Sequence, residues 1–361
     1  MDVKNNDKAI GIWLMVVAIL VLLMIVVGGA TRLTESGLSM VKWHPISGIM
    51  PPMDAGEWRA EFNAYKQFPE YIEVNAGMSL SEFKAIFWWE YGHRLLGRLI
   101  GLAFALPLLF FMARKMVRDE LKMKLFMLLA LGAAQGGMGW YMVTSGLVDE
   151  PQVSHFRLSA HLSLALVIFM ALLGQGLMLL RPKTTLSKDG LSPLEFQVRG
   201  MMRTRGLNKL KPYIYIFIGL AFIQSVFGAL VAGLDAGFAY NTWPLMDGAF
   251  IPAHAYTAPY LHNILNDPTS VQLTHRMLAY VLTLLTIVII IRMLSANSSY
   301  SKPVKSAVFG MVALVFMQVG LGIATLISGV HIPLAVLHQG GAVLVLGAGI
   351  YVISSMWREQ A

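Results

Sequence analysis

The sequence predicts an all-α integral membrane protein: eight transmembrane helices forming two pseudo-symmetric four-helix bundles. Three observations predict it. Only 13% of the 361 residues are charged while 56% are hydrophobic, whereas soluble domains carry about 25% charge. The apolar residues collect into long runs free of Lys, Arg, Asp and Glu. Blocks from the first half of the chain also return, in order, in the second.

The charge-free runs are 9–31, 99–113, 125–148, 158–180, 212–234, 277–291 and 306–357. The last divides in two at Pro333, just after Ser328-Gly329. A spanning helix needs about 20 residues. The second and sixth runs are too short, so both extend backwards through His93-Arg94 and His275-Arg276. With the N-terminus inside, the inner segments are 1–8, 114–124, 181–211, 292–305 and 358–361. They hold 19 of the 28 Lys and Arg residues, and 13 of the 20 acidic residues fall outside. The net charge of +8 is therefore an orientation signal. Basic residues in short loops between spans do not make a nucleic-acid footprint. The N-terminal MDVKNNDKAI lacks the Arg- and Ser-rich character of a transit peptide. A bacterial inner membrane is expected, with both termini cytoplasmic. There is no cysteine, so disulfides, iron–sulfur clusters and thiol chemistry are excluded. The expected organisation is an N-terminal half (1–180), a basic cytoplasmic linker (181–211) and a C-terminal half (212–361). Two long outer segments, 32–86 and 235–270, are expected to fold over the outer mouth.

The repeat carries the argument from fold to site. Gly28, Gly37 and Trp43 return at an offset of 200 as Gly228, Gly237 and Trp243. Glu90-Tyr91-Gly92-His93-Arg94 returns as Gln272-Leu273-Thr274-His275-Arg276. Gln135 and Gly139 return as Gln318 and Gly322, and His161 returns as His338. Each half has an even number of spans, so the repeats run parallel about an axis along the membrane normal. Small residues let membrane helices approach closely, so Gly136, Gly137, Gly139, Gly320 and Gly322 read as helix-packing positions.

His93, His161, His275 and His338 fall near the outer ends of the second, fourth, sixth and eighth spans. Polar groups within a membrane are costly and usually mark function. Two histidines on facing helices of a four-helix bundle can supply both axial positions of a haem iron. Zinc fits less well, because it takes three or four protein ligands and each half offers two. Arg94, Arg98, Arg157 and Arg276 lie where they could pair with haem propionates, or snorkel to anchor helix ends. Glu90 stands three residues before His93, on the same helix face. Its counterpart before His275 is Gln272, which cannot titrate. Chemistry is therefore expected in the N-terminal half and simple haem holding in the C-terminal half. His44, His254, His262, His155 and His331 read as solvated or interfacial.

The stretch from Gly28 to Met40, Gly-Gly-Ala-Thr-Arg-Leu-Thr-Glu-Ser-Gly-Leu-Ser-Met, with Trp43 and Pro51-Pro52, closely resembles the heme A synthase family. It is similar to the cysteine-less class of proteobacteria and mitochondria. The Glu90–Arg94 block and the three later histidines resemble that family too, and the resemblance spans essentially the whole chain. It implies conversion of haem O to haem A, by successive hydroxylation of a ring methyl to a formyl group, for use in terminal oxidases. It further implies that His275 and His338 ligate a resident haem b. His93 and His161 would hold the iron of the substrate haem, with Glu90 beside it. Haem O synthase, an electron donor or acceptor, and a second copy of the chain are the partners it admits. Two rival readings share the bundle. One is a two-haem membrane cytochrome exchanging electrons with quinone; the other is a haem transporter or chaperone.

Overall fold

The computed structural model describes residues 3–42, 47–146, 152–180, 193–295 and 300–360. Trp43 and His44 lie outside the described residues. Among the described residues ten α-helices follow one another: α1 (Val3–Leu33), α2 (Ala55–Tyr65), α3 (Leu80–Ala113), α4 (Asp119–Val143), α5 (His155–Leu179), α6 (Pro193–Gly233), α7 (Tyr260–Asn266), α8 (Pro268–Ser295), α9 (Lys302–Ile327) and α10 (Ile332–Gln360). All but α2 and α7 are long and apolar enough to cross a membrane. Their lipid-facing stripes carry exposed apolar residues at helical spacing, as Leu99, Leu102, Leu106 and Leu109 do on α3.

The eight long helices form two closed rings. In one, α1 packs on α3, α3 on α4, α4 on α5, and α5 back on α1. In the other, α6 packs on α8, α8 on α9, α9 on α10, and α10 back on α6. The rings meet where α1 and α5 contact α10 and α6. Small residues permit this approach. Gly29 on α1 faces Gln339 on α10, whose side-chain amide donates to the Ile25 carbonyl at 2.8 Å.

Two elements differ from the sequence expectation. Helix α3 starts at Leu80, far ahead of its charge-free run, because Ser79 and Glu82 form a capping box. At 34 residues it is about 51 Å long, well beyond the ~30 Å hydrocarbon core. His93 therefore lies well inside α3 rather than at its mouth. Of the expected linker, 181–192 lies outside the described residues, and 193–211 is continuous with α6. Pro193 suits the first helical turn, no proline intervenes before Pro212, and Leu207 and Leu210 are fully buried.

The apolar core runs between the rings at one level. It contains Leu14, Val17, Leu166, Leu172, Phe217, Val308, Leu346 and Val352. The end of the molecule carrying the two long connections is different, with glycine, glutamine and histidine where the other end has aliphatics. Over that end α2 lies on α3. Trp58, Phe62 and Tyr65 of α2 interlock with Phe83, Phe87 and Tyr91 of α3, with ring centroids 4.9 Å apart for Phe62–Phe83 and 5.0 Å for Trp58–Phe87. Aromatic burial of this kind anchors the cap.

Candidate functional site: four histidines in two helix rings

Each ring alternates helices that bear a histidine with helices that bear a glycine. His93 on α3 packs against Gly28 on α1, and His161 on α5 against Gly139 on α4. His275 on α8 packs against Gly228 on α6, and His338 on α10 against Gly322 on α9. A Cβ at these glycines would stand 3.0, 3.2, 3.3 and 2.7 Å from the respective imidazoles. These glycines make room for a ring, a more specific role than helix approach. Gly136, Gly137 and Gly320 differ, because a Cβ there would meet nothing within 4 Å. The helix-packing expectation fails at those three positions, which face open space.

The histidines of a ring come from diagonally opposed helices. His93 lies within electrostatic range of His161, and His275 within range of His338. A glutamine one turn before the glycine braces three of the four. The Gln135 amide donates to the His161 carbonyl at 3.1 Å and stands 3.3 Å from both ring nitrogens. Gln224 does the same for His275 at 3.1 and 3.2 Å. Gln318 donates to the His338 carbonyl at 2.7 Å. The Oε1 atoms of all three glutamines, and Nδ1 of His338, are buried without a hydrogen-bond partner among the described residues. Native interiors rarely leave such groups unmatched, and an absent ion or ligand is one explanation.

Glu90 is buried and accepts three hydrogen bonds. Ser39 Oγ donates at 2.7 Å, the Met40 backbone N–H at 2.7 Å, and Arg94 completes an ion pair. Arg94 also donates to the carbonyls of Met40 and Lys42, at 2.9 and 3.3 Å. The second ring repeats this arrangement with one inversion. Arg276 donates to the carbonyls of Tyr240 and Thr242, the offset-200 counterparts, at 3.0 and 2.9 Å. There Gln272 donates to the Tyr240 carbonyl at 3.0 Å, where Glu90 accepts from the Met40 N–H. The backbone repeats as well: Glu35 and Asp235, which close α1 and α6, both take φ of 50°.

The arginines are thus engaged with loop carbonyls, and Arg276 keeps a buried Nε without a partner among the described residues. Arg157 stacks 3.9 Å over the Tyr141 ring and donates to the Tyr141 carbonyl at 2.8 Å, tying α4 to α5. His155 bridges the halves, with Nε2 3.1 Å from Asn266 Oδ1.

Sequence reasoning passed over Gln224, Ser39 and the buried Glu70 of the cap. Gln224 repeats the Gln135–Gly139 spacing four residues before Gly228, which was a readable signal. Ser39 closes the Gly28–Met40 motif. Glu70 accepts from Tyr65 Oη at 3.0 Å, and Asn75 donates to that hydroxyl at 2.8 Å. Burial pushes the Glu70 carboxyl up to about 8, opposed by the Tyr65 hydrogen bond and reinforced by Glu90 and Glu35.

Fold and site together define a polytopic helical membrane protein with a pair of facing histidines in each of two helix rings. Among the described residues no group of three His, Cys, Asp or Glu side chains could hold a metal ion. The sequence model of the family described as cytochrome oxidase assembly protein matches residues 11–350. A protein named heme A synthase from Nitrosospira multiformis is 44% identical over 354 residues, covering 98% of this chain and 95% of its own length. Proteins of the same name from Nitrosomonas eutropha and Rhodopseudomonas palustris are 44% and 45% identical. They cover 96% and 97% of this chain, and 94% and 91% of their own lengths. The chain belongs to this family.

Proposed function

We propose that this protein oxidises a ring methyl of haem O to the formyl group of haem A. The reaction removes four electrons from one carbon and passes them to an external electron acceptor. With oxygen supplied by water it also releases four protons, so the site needs a group that can take up a proton or balance positive charge. The observation that carries the reading is the contrast between Glu90 and Gln272, two side chains in equivalent places of which one can ionise.

In this reading His93 and His161 hold the iron of the substrate haem. Glu90 is fixed by Ser39, Met40 and Arg94, which presents a preorganised carboxyl group on the His93 face of α3. Two successive hydroxylations give a geminal diol that loses water to form the aldehyde. In the second ring His275 and His338 fit a resident haem b. Two imidazoles from diagonal helices, a glycine beside each, and orphan polar atoms at the same level support this fit. When bound, that haem supplies a one-electron relay. The chain's own residues do the rest: Gln224 lies against the His275 ring, Gln318 holds the His338 backbone, and Arg276 pins the 240–242 segment. The two rings act as separate functional halves related by a pseudo-twofold axis, in the inner membrane with both termini cytoplasmic.

Glu90→Gln tests the proposal. The second ring already accommodates a glutamine beside its arginine, so this variant retains its fold and its haem. The expected result is loss of haem A formation by about 10²-fold or more, the usual worth of a general acid or base. Undiminished haem A formation removes Glu90 from the mechanism.

A further inference from the structure

The four histidine sites share one construction with one exception. On the helix preceding each histidine, a glutamine stands four residues before the glycine: Gln135 and Gly139, Gln224 and Gly228, Gln318 and Gly322. At the fourth site, four residues before Gly28, stands Met24. A thioether donates no hydrogen bond. Among the described residues no hydrogen bond reaches the imidazole of His93 or of His338; what the other three sites share is a glutamine amide donating to the histidine's own backbone carbonyl, at 3.1 Å for His161 and His275 and 2.7 Å for His338, with Gln135 and Gln224 also against the rings.

The surroundings of His93 differ accordingly. The Met24 methyl lies 3.3 Å from where a Cβ of Gly97 would stand, one turn beyond His93 on α3. The counterpart of Gly97 in the second ring is Ala279. At this site an adaptable thioether side chain thus faces a missing Cβ. The ring is also turned: its Nε2 is the atom nearest Gly28, whereas Cε1 is nearest the glycine at the other three sites.

We propose that Met24 makes His93 the displaceable ligand, so that the first ring has one braced histidine, His161, and one that releases the iron. The inference rests on the function proposed above. A substrate haem must arrive and its product must leave in every cycle, which requires breaking an iron–histidine bond; a resident haem has no such need. Hydrogen-bonded partners behind metal-bound histidines fix ring orientation and ligand strength, and losing one costs about 10–100-fold in metal affinity. Met24 is a positioning residue in this scheme. It acts by withholding the histidine-backbone brace that the other three sites have.

The test uses carbon monoxide on the reduced, full-length protein purified with haem O supplied. Carbon monoxide binds six-coordinate ferrous haem only after one iron–nitrogen bond opens, so its binding rate reports release of the weaker histidine. The wild type is expected to show a fast fraction from the first ring and a slow fraction from the second. Met24→Gln slows the fast fraction by about tenfold or more at unchanged haem content. Met24→Leu, which adds no amide, keeps it fast. Gln224→Met accelerates the slow fraction by a similar factor. Equal rates in wild type and Met24→Gln, with both haems present, overturn the inference and leave the proposed function standing. So does a Gln224→Met protein whose second haem stays slow. A purified protein that holds no haem in either ring overturns both.

Discussion

Replacing Gly322 with alanine separates the fold from the site it carries. The added Cβ would stand 2.7 Å from His338 Cε1, 3.3 Å from Nε2 and 3.4 Å from Nδ1. Ordinary contact begins at 3.4 Å, so the ring must retreat by about 0.7 Å. Functional constellations tolerate displacement of about 0.5 Å. Alanine is favoured over glycine in a helix interior by about 1 kcal/mol, while overpacking costs about 1–3 kcal/mol. The two nearly offset, so thermal stability changes by no more than about 2 kcal/mol. Haem at the second ring, by contrast, falls in affinity by about tenfold or more, the scale of a disturbed histidine ligand. The assay pairs a thermal melt with haem stoichiometry and the low-spin spectrum of the bis-histidine site. Gly228→Ala is the internal control: its Cβ would lie 3.3 Å from His275, and its haem should survive. A Gly322→Ala protein with full haem content and an unchanged spectrum would refute the packing argument.

Further outcomes follow from the same geometry. His275→Ala and His338→Ala each abolish the low-spin spectrum of the resident haem; retention of that spectrum in both removes them as ligands. Ser39→Ala takes one of three donors from Glu90 and should lower haem A formation by about tenfold, since a hydrogen bond to a charged group is worth about 1.5–3 kcal/mol; an unchanged rate means Met40 and Arg94 suffice. The cap should loosen as pH rises. With its carboxyl raised from 4.5 to about 8 by burial, Glu70 holds a proton in the folded cap that the opened cap releases. Its contribution is therefore complete below pH 4.5 and lost as pH climbs through about 8. Hydrogen-exchange protection factors across residues 55–75, referred to the intrinsic rate at each pH, should fall between pH 5 and 9 in the wild type and stay level in Glu70→Gln.

Much of this architecture is legible in the sequence, because its two strongest signals are physical necessities. A chain that crosses a membrane must hide its charges, so the charge-free runs mark all eight spans. A repeat in order marks equivalent positions, so His93, His161, His275 and His338 stand out together. Less visible is what lies outside the apolar runs. The start of α3 is set by Ser79 and Glu82, a capping signal that hydropathy does not weigh. The polar first half of α6 is helical because nothing breaks it before Pro212. Glycines were legible as small but not by what they face: Gly139 and Gly322 meet an imidazole, whereas Gly136 and Gly320 meet open space. The engagement of Arg94 and Arg276 with loop carbonyls depends on where 40–42 and 240–242 fold back, and no local pattern encodes that return.

The measurement closest to the central claim is the porphyrin content of the purified protein, from cells with and without a haem O supply. The account predicts haem b alone when haem O is withheld, and haem b with haem A when it is supplied, with Glu90→Gln accumulating haem O instead. Haem b alone under both conditions, with no haem A formed beside an available haem O source, would contradict it and return the molecule to the class of electron-carrying cytochromes.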